Sequence, residues 1–318
     1  MDEQSLRYFL AVVRSGSIRR AADGLNVAAS AISRRITELE ARCGLPLLER
    51  RPRGVAPTEA GKAVAAHAQQ IAEDAEQLSN YLRGLRGSHQ GRIRLCCGEG
   101  FVADLVEHGV LPFTEAHPDL SIQLSIHGTD QLLDLVANGE ADLGLAYTPA
   151  PHAGTRSVMV SPQPLCAIVP PRHPYAEGSR LALRALIGEP IALLAEGHGV
   201  RQLIERVEAE QGFRLSPRLE SGSVEVLRRH VLAGAAVSVL PWFAVSEEIA
   251  QRRLVAIPLI DSILAGACAH LLVRAYRRLP PAVEELIGLL SNELLSFRLN
   301  GFRQMLPDRQ RVFSKLFL

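Results

Sequence analysis

A stretch near the N-terminus, AASAISRRITELEARCG (residues 28–44), combines residue types that bind phosphates and base edges. Ala31, Ile32, Ile36 and Leu39 fall at helical spacing and predict a narrow apolar stripe. Arginine forms bidentate hydrogen bonds with guanine or phosphate, and short hydroxyls reach either kind of group. In an isolated helix, these polar residues would indicate only a solvent-exposed face. The flanking sequence is therefore needed to distinguish that from a nucleic-acid-binding face. The polar positions are Ser30, Ser33, Arg34, Arg35 and Thr37.

Two short helices are predicted before this stretch. Gly16 ends the first of them, and Ser17 caps the second. Ala21 and Ala22 are small enough for close helix approach, and a short turn at residues 26–27 leads into the third helix. This is the helix-turn-helix pattern, whose second helix enters the DNA major groove. Apolar residues at i, i+3, i+4 and i+7 predict the first helix: Leu6, Phe9, Leu10 and Val13.

The following segment, LLERRPRGVAPTEAG (residues 47–61), predicts a hairpin wing. Arg50, Arg51 and Arg53 surround its Pro-Arg-Gly turn, where they are expected to reach phosphates or a narrow minor groove. Residues 1–62 contain 11 Lys or Arg against 7 Asp or Glu, whereas the remainder contains 24 against 27. This asymmetry favours a polyanion-binding module attached to a slightly acidic body.

A long helix is predicted next, opened by Thr58 and Glu59. Its apolar residues step alternately by four and three, which is the heptad seam of a coiled coil. Such a seam favours a homodimer, because two DNA half-sites need two reading helices. Packing of the helix on its own domain is the alternative. The predicted dimerisation residues are Val64, Ala68, Ile71, Ala75, Leu78, Leu82 and Leu85.

Beyond residue 91 the sequence alternates strand and helix patterns in two series, which predicts two α/β lobes with mostly parallel sheets. A closing helix is predicted at residues 281–297. The chain has 318 residues, of which 47% are hydrophobic, enough for more than one core. No apolar run reaches membrane-spanning length, and the acidic N-terminus lacks a signal-peptide core. We therefore expect a cytoplasmic protein.

Residues 6–61 resemble the DNA-binding domain of the LysR-type transcriptional regulators along its full length. The family commonly has Ser-Gln-Pro where this chain has Ala28, Ala29 and Ser30. Ala28 has no capping oxygen, and Ala29 cannot make the bidentate adenine contact of a glutamine. Base preference at that position is therefore unsettled. The matching features are Phe9, Gly16-Ser17, Ala21-Ala22, Ala31-Ile32-Ser33, Leu39-Glu40, Gly44, Leu47-Leu48-Glu49-Arg50 and Thr58-Glu59-Ala60-Gly61.

The resemblance continues more loosely through LPFTEAHPDLSIQL, LVANGEADLGLAY and VLAGAAVSVLP. It implies an α+β multidomain chain with a two-lobed α/β effector-binding domain similar to periplasmic solute-binding proteins. A basic C-terminal tail beyond this domain has no assigned role. The implied divisions are a winged helix-turn-helix at 1–58, a linker helix and hinge at 59–90, the effector-binding domain at 91–297 (lobe I 91–162 plus 266–297, lobe II 163–265) and the tail at 298–318.

The resemblance also implies a sequence-specific DNA-binding regulator, not an enzyme, whose promoter activity is switched by a small metabolite between the lobes. Expected partners are double-stranded promoter DNA, a small-molecule co-inducer, RNA polymerase and further copies of the chain in a homodimer or homotetramer. No cofactor, metal or membrane is expected. The predicted DNA contacts are Ser30, Ser33, Arg34, Arg35, Thr37, Arg50, Arg51 and Arg53.

An effector is expected at the carboxyl ends of the strands, where helix N-termini from both lobes converge. Free N–H groups there, with Arg201 as a carboxylate clamp, favour a small anion. Glu99, Asp130 and Glu196 favour a ligand with hydroxyl or amino groups instead, so its charge stays open. Pairing of Arg201 with Glu205, one helical turn along, is the alternative role of this arginine. The predicted effector-binding residues are Gly98, Glu99, Gly100, Phe101, Thr129, Arg201 and Ser223.

Other classes of protein have weaker support. GEGFVA (residues 98–103) fits a dinucleotide-binding fingerprint, but no acidic residue ends the next strand to hold a ribose. The helix-turn-helix disfavours a free-standing solute-binding protein, and no G-x-S-x-G motif suggests a hydrolase. The five cysteines lack metal-ligand spacing. Adjacent Cys96 and Cys97 leave a redox sensor open, although no resolving partner is evident in the sequence.

Overall fold

The computed structural model describes residues 2–51, 54–85, 91–275, 277 and 279–298, apart from the side chains of residues 50, 51, 73 and 76–85. The chain divides into two compact units after Ser88. Arg53, residues 86–90 of the predicted linker and hinge, and all of the predicted tail except Arg298 lie outside the described residues. Within the described part, no helix has the length and apolar character to cross a membrane.

The first unit begins with three helices, as predicted from the sequence. Gly16 ends the first helix in the left-handed conformation. The Ser17 hydroxyl then accepts a hydrogen bond from the Arg20 N–H at 3.4 Å, so both predicted helix signals are confirmed. The elements of this unit are α1 (Glu3–Ser15), α2 (Ile18–Leu25), α3 (Ala29–Cys43), β1 (Leu48–Arg51), β2 (Gly54–Pro57) and α4 (Glu59–Leu85).

The apolar stripe of α3 forms part of the core of this unit. Ile32, Ile36 and Leu39 are buried, packing in one cluster with Phe9 of α1. Ala31 is exposed, however, which corrects its predicted place in the stripe. The three buried positions follow the i, i+4, i+7 spacing of one helix face, and Ala31 lies about 100° away around the helix axis.

The predicted hairpin is present and is held against the turn between α1 and α2. Strands β1 and β2 pair antiparallel. The Val55 N–H donates to the Gly16 carbonyl at 3.0 Å. Gly54 has a φ of +139°, and a Cβ at this position would overlap the Gly16 carbonyl oxygen. Glycine is therefore required where the hairpin crosses this turn.

The first half of α4 packs into its own unit. Ala68 is buried, and Val64 and Ile71 are partly buried against the same cluster. Ala75 is exposed. Packing of the helix on its own domain, which the sequence left open, therefore occurs over the first half of the predicted seam. The side chains of Leu78, Leu82 and Leu85 lie outside the described residues.

The second unit contains two five-stranded sheets, each with helices packed on it. The sheet of lobe I has the order β4-β3-β5-β12-β6, and that of lobe II has the order β11-β7-β10-β8-β9. The elements are β3 (Gly91–Cys97), α5 (Val102–Leu105), α6 (Leu111–Ala116), β4 (Leu120–Ile126), α7 (Thr129–Ala137), β5 (Leu143–Tyr147), β6 (Thr155–Pro162), β7 (Leu165–Val169), β8 (Ile191–Leu194), α8 (Gly199–Gln211), β9 (Leu219–Ser221), α9 (Val224–Leu232), β10 (Val237–Pro241), α10 (Ser246–Ala250), β11 (Val255–Pro258), α11 (Ser262–Ala265), β12 (Cys268–Arg274) and α12 (Pro281–Glu293).

The prediction of mostly parallel sheets is wrong, because half of the strand pairings are antiparallel. In lobe I, β3 pairs parallel with β4 and β5, whereas β12 pairs antiparallel with β5 and β6. In lobe II, β8 pairs parallel with β9 and β10, whereas β7 pairs antiparallel with β10 and β11. The antiparallel strands flank the two points where the chain crosses between lobes. A strand that arrives from the other lobe needs no helical crossover and can run in the opposite direction.

The closing helix is shorter than predicted. It ends at Glu293, and the next residue, Leu294, is extended. The buried carboxylate of Asp104 accepts hydrogen bonds from the N–H groups of Leu295 and Ser296, both at 2.9 Å. These bonds satisfy backbone donors that a longer helix would have paired internally, so they stabilise the turn that follows α12.

Gln163 joins the two crossing segments between the lobes. Its N–H donates to the Ala267 carbonyl at 2.8 Å. Its side-chain oxygen accepts from Trp242 Nε1 at 2.8 Å, and its side-chain nitrogen donates to the Ser296 carbonyl at 2.8 Å. The Tyr147 hydroxyl donates to the Gln163 carbonyl. This buried network fixes the two lobes to each other at the point where they meet.

Candidate DNA-binding helix and effector cleft

Four of the five predicted DNA-contacting side chains of α3 share one accessible face, and Arg35 lies at its margin. Ser30, Ser33 and Thr37 are exposed. The side chain of Arg34 is 79% exposed, and that of Arg35 is 37% exposed. The structure therefore brings together Ser30, Ser33, Arg34 and Thr37 on the side away from the buried stripe. Arg35 lies between this face and the stripe and is only partly exposed.

Both arginines have weak partners within the first unit. Arg34 Nε lies 3.1 Å from a Glu38 oxygen, and Arg35 Nη1 lies 3.6 Å from the other. Arg35 also donates to the Gln4 side chain at 3.4 Å. Exposed ion pairs of this kind contribute about 0–1 kcal/mol, so they do not hold the guanidinium groups away from a phosphate.

The N-terminus of α3 is open. Its cap residue, Ala28, makes no side-chain capping bond, and neither Asn26 nor Ser30 substitutes for it. The N–H groups of a first helical turn attract phosphate because they are unsatisfied and lie at the positive end of the helix dipole. The absence of a capping side chain therefore leaves this end accessible to an external anion.

Glu40 sets the position of the hairpin relative to α3, a role that the sequence reasoning missed. Its carboxylate accepts hydrogen bonds from the Leu47 N–H at 2.8 Å and the Leu48 N–H at 3.2 Å. These contacts tie the start of β1 to α3. The side chains of Arg50 and Arg51, and all of Arg53, lie outside the described residues.

Most of the predicted effector-binding residues line one cavity between the lobes. The cavity has a volume of about 30 Å³, which is enough for about one water molecule. Arg201 and Ser223 are not among its lining residues. The predicted residues in its wall are Gly98, Glu99, Gly100, Phe101 and Thr129, and the others are His127, Tyr147, Leu194, His198, Gly199, Val200 and Pro241.

Arg201 is engaged elsewhere. Its Nε donates to Glu205 at 2.9 Å, one turn along α8, and its Nη2 lies 3.8 Å from Glu220. The alternative pairing considered from the sequence is therefore present. Ser223 precedes α9, and its N–H donates to the Ser221 hydroxyl at 3.1 Å. The Nη1 of Arg201 is buried without a hydrogen-bond partner among the described residues, so a bidentate carboxylate clamp would use this nitrogen and would release Nε or Nη2 from its ion pair.

The two lobes touch through glycine at the cleft. The Thr129 N–H of lobe I donates to the Gly197 carbonyl of lobe II at 3.2 Å. A Cβ at Gly199 would lie 2.6 Å from the Tyr147 carbonyl oxygen and 2.8 Å from Thr129 Oγ1. A Cβ at Gly128 would lie 2.9 Å from the Gly197 oxygen. Since real Cβ atoms do not approach this closely, the closed cleft depends on these glycines.

Glu99 makes a contact that the sequence did not reveal. Its Oε1 accepts a hydrogen bond from the Val224 N–H at 3.1 Å. Glu99 belongs to lobe I, and Val224 is the first residue of α9 in lobe II. The two residues are 125 positions apart, so no local pattern indicates the pair.

His198 lies on the lobe II side of the same cavity. Burial lowers its pKa below the ordinary histidine value, and the nearby charge of Glu99 opposes this change only in part. The lowered pKa favours the neutral form of His198 at pH 7.

Four of the five cysteines lack the properties of a redox sensor. All five are free. Burial raises the pKa of Cys96 and of Cys97 to about 12, and it also raises the pKa of Cys166 and Cys268. The thiolate is the form that reacts with oxidants, so burial suppresses the reactivity of these four thiols at pH 7. Among the described residues, no cluster of His, Cys, Asp or Glu is arranged to hold a metal.

A larger cavity of about 390 Å³ lies at the opposite ends of the lobe II strands, before β8 and β9. Its lining includes the exposed Ile187 and the side chains of Arg214, Arg218 and Glu189. It contains none of the predicted effector-binding residues.

Two family models match the chain. A bacterial regulatory helix-turn-helix protein of the lysR family matches residues 4–62, and a LysR substrate binding domain matches residues 86–295. The chain belongs to the LysR family. It is a LysR-type transcriptional regulator, as the sequence resemblance predicted, with an N-terminal helix-turn-helix unit and a two-lobed α/β unit.

Known proteins similar to this LysR-type regulator include the RuBisCO operon transcriptional regulator of Allochromatium vinosum. It is 28% identical over 283 residues, which cover 88% of this chain and 92% of that protein. Full-length OxyR of Pseudomonas aeruginosa has the same fold, with a TM-score of 0.70, 22% identity and coverage of 93% and 96% of the two chains. Full-length CbnR in complex with its target DNA gives a TM-score of 0.55, 20% identity and coverage of 91% and 98%. The family models and the curated relatives indicate a regulator and not an enzyme, which rejects an enzyme as the interpretation of the GEGFVA motif.

Proposed function

We propose that this LysR-family regulator binds promoter DNA through α3 and the hairpin, and that a small molecule between the lobes switches its promoter activity. The observation that carries the proposal is the exposed polar row of α3 next to its uncapped N-terminus. In this proposal the major groove is contacted by Ser30, Ser33, Arg34, Arg35 and Thr37. Either arginine can make a bidentate guanine contact there.

The hairpin extends the proposed interface. The Glu40 contacts that tie β1 to α3 would carry the turn toward the phosphate backbone beside the major groove. Arg50, Arg51 and Arg53 are proposed to contact phosphates or a narrow minor groove from there. Support also comes from the similarity of fold to CbnR, whose solved structure is a complex with its target DNA.

We assign the dimer contact to the second half of α4. Val64, Ala68 and Ile71 already pack on the core of their own unit. Ala75 is exposed, and the predicted seam continues from it through Leu78, Leu82 and Leu85. A homodimer built on this part would present two reading helices to two half-sites. A homotetramer and contact with RNA polymerase remain predictions from the family resemblance.

The effector is proposed to bind in the cleft lined by Gly98, Glu99, Gly100, Phe101 and Thr129. Its position at the carboxyl ends of parallel strands from both lobes supports this assignment. Ligand sites for small molecules measure roughly 300–1,000 Å³, so the lobes must part to admit one. We take this movement as the source of the switch, because bound and free clefts would differ in lobe geometry.

The test is DNA binding by the full chain to its own upstream region, followed by fluorescence anisotropy and footprinting with and without a metabolite panel. We expect a salt-dependent, sequence-specific complex whose footprint changes with a metabolite. That change should be lost in Thr129→Val, because this substitution removes a cleft hydroxyl. Failure to distinguish the upstream region from random DNA at any salt concentration would reject the proposal.

Paired substitutions in α4 test the dimer assignment. Leu78→Glu with Leu82→Glu would place like charges along the proposed seam and should convert the dimer to monomers in sedimentation. Gln77→Glu with Asn80→Glu adds the same two negative charges at positions outside the seam and serves as the matched control. A double glutamate variant that sediments like the unmodified chain would show that the dimer contact lies elsewhere.

A further inference from the structure

The cleft already contains an anion of its own. The Glu99 carboxylate accepts the Val224 N–H at 3.1 Å, at the N-terminus of α9. The cap residue of this nine-residue helix, Ser223, makes no side-chain capping bond. A carboxylate at this end of a helix is stabilised by the unsatisfied N–H groups and by the helix dipole. The place that an anionic ligand would take at α9 is therefore filled from the other lobe.

The rest of the cleft offers an anion no compensating charge. Among its lining residues, all of which the structure describes, there is no Lys or Arg. Arg201 does not line the cleft, and it is paired through Nε with Glu205 and through Nη2 with Glu220, while its buried Nη1 has no hydrogen-bond partner in the part of the chain that the structure describes. At the N-terminus of α7, the Thr129 N–H is taken by the Gly197 carbonyl at 3.2 Å. Of these lining residues Glu99 alone bears a carboxylate, so the cleft favours positive charge and hydrogen-bond donors.

Entry of a ligand must disturb the same contact. With a cavity of about 30 Å³, the closed cleft has room for about one water molecule. Parting the lobes separates Glu99 from Val224, which leaves a carboxylate in need of a donor. A ligand N–H or O–H satisfies it with a charge-assisted hydrogen bond. A ligand carboxylate would instead meet a like charge.

We propose that Glu99 is a resident anion that closes the cleft and excludes organic anions from it, so that the effector is an uncharged or cationic molecule with N–H or O–H donors. This inference rests on the proposed function, since it names the ligand class of the proposed effector cleft. The sequence left the charge of the effector open, and this proposal takes Glu99 as the residue that determines it.

The experiment uses the full chain and sulfate as an anion probe, with chloride at equal ionic strength as the reference salt. Hydrogen–deuterium exchange is followed in the peptide that spans residues 221–226, and sulfate affinity is measured from thermal stabilisation. Glu99→Ala is compared with the unmodified chain. Glu115→Ala is the matched control, because Glu115 is an exposed glutamate of α6 in the same lobe and its removal changes the net charge equally.

In the unmodified chain and in Glu115→Ala, sulfate should leave exchange at residues 221–226 unchanged. Glu99→Ala should exchange faster there, and sulfate should restore protection with an affinity at least about tenfold above that of the unmodified chain, a difference of about 1.4 kcal/mol. Anion binding elsewhere, for example near Arg214 and Arg218, is common to all chains and cancels in this comparison.

Two results would overturn the inference. Sulfate protection of residues 221–226 in the unmodified chain would show that Glu99 does not exclude anions. Absence of sulfate protection in Glu99→Ala would show that Glu99 does not keep anions from the N-terminus of α9. If Glu99→Ala does not fold, Glu99→Gln decides in its place, because it keeps an acceptor oxygen but removes the charge, and it should gain sulfate affinity.

Operator binding measured in parallel separates this inference from the proposed function. If the chain binds its upstream region but either overturning result occurs, only the ligand class is wrong. If the chain binds no specific DNA, the proposed function fails, whereas the sulfate result still decides whether Glu99 guards the cleft.

Discussion

The N-termini of α3 and α9 expose the same backbone chemistry, but their surroundings differ. Ala28 leaves the end of α3 without a side-chain cap. At α9, Glu99 from the opposite lobe accepts the first N–H. An open helix end is available to an external phosphate, whereas an occupied one holds two parts of the same chain together. A helix N-terminus found in a sequence therefore predicts an anion site only if no distant carboxylate reaches it.

The largest effect is expected at the open end. Combined Arg34→Ala and Arg35→Ala should weaken operator binding by about 1–3 kcal/mol for each arginine–base pairing that the substitutions remove, and should reduce the salt dependence of affinity. Fluorescence anisotropy over a salt series measures both quantities. Arg253→Ala, an exposed arginine in lobe II, is the control and should bind normally. Unchanged affinity and salt slope in the double variant would remove α3 from the interface.

The closed cleft between the lobes can be disrupted at its glycine contacts. Gly199→Ala would place a Cβ 2.6 Å from the Tyr147 carbonyl oxygen, so the lobes must shift. We expect the free energy of unfolding to fall by about 1–3 kcal/mol, measured by urea denaturation. In Gly100→Ala the nearest contact, Pro241 Cγ, lies at an ordinary 3.7 Å. Equal stability of the two variants would contradict close packing of the lobes at Gly199.

A capping side chain at position 28 tests whether the N-terminus of α3 faces a phosphate. Ala28→Ser and Ala28→Asp should each increase the free energy of unfolding of the first unit by about 0.5–2 kcal/mol, because each supplies the missing acceptor. Ala28→Asp should also weaken operator binding, since its carboxylate takes the place of a phosphate, and Ala28→Ser should affect binding less. If both variants bind alike, the α3 terminus does not face a phosphate.

The smallest effect concerns pH. Because burial lowers the pKa of His198 below its ordinary value of 6.5, the unfolded chain binds a proton more readily than the folded one. The folded state therefore loses stability as the pH falls below about 6.5, with a slope of at most about 1.4 kcal/mol per pH unit for this group. His198→Gln should flatten the stability curve between about pH 5 and pH 7. Parallel curves for the two chains would show that His198 titrates normally.

Local signals allowed the first unit to be predicted nearly to the residue. Gly16 and Ser17 determine a helix end and a helix start through their own backbone and hydroxyl, without help from distant residues. The prediction was wrong at Ala31, because this apolar residue lies beside the buried stripe and is not part of it. It missed Glu40, because the bonds of this carboxylate to β1 depend on how the chain turns back after α3.

Predictions for the second unit were accurate for single elements but not for their pairing. Most strands and helices were identified from hydrophobic pattern, yet β6, a largely exposed edge strand, was missed. The antiparallel pairings escaped prediction because strand direction depends on how the chain crosses between lobes. At the cleft, the glycine turns were identified from their position after strands. The Glu99–Val224 bond was not, since it depends on the closure of one lobe against the other.

The sheet order of lobe I has a consequence for synthesis on the ribosome. Within its sheet, strand β6 is hydrogen-bonded to β12 alone, and β12 follows the whole of lobe II in the chain. The two strands are separated by residues 163–267, a stretch of 105 residues. Its synthesis takes roughly 5–20 s. During that interval β5 and β6 have emerged without the strand that joins them. The nascent chain therefore has an unpaired sheet edge while lobe II is made, and an unpaired edge of this kind favours aggregation.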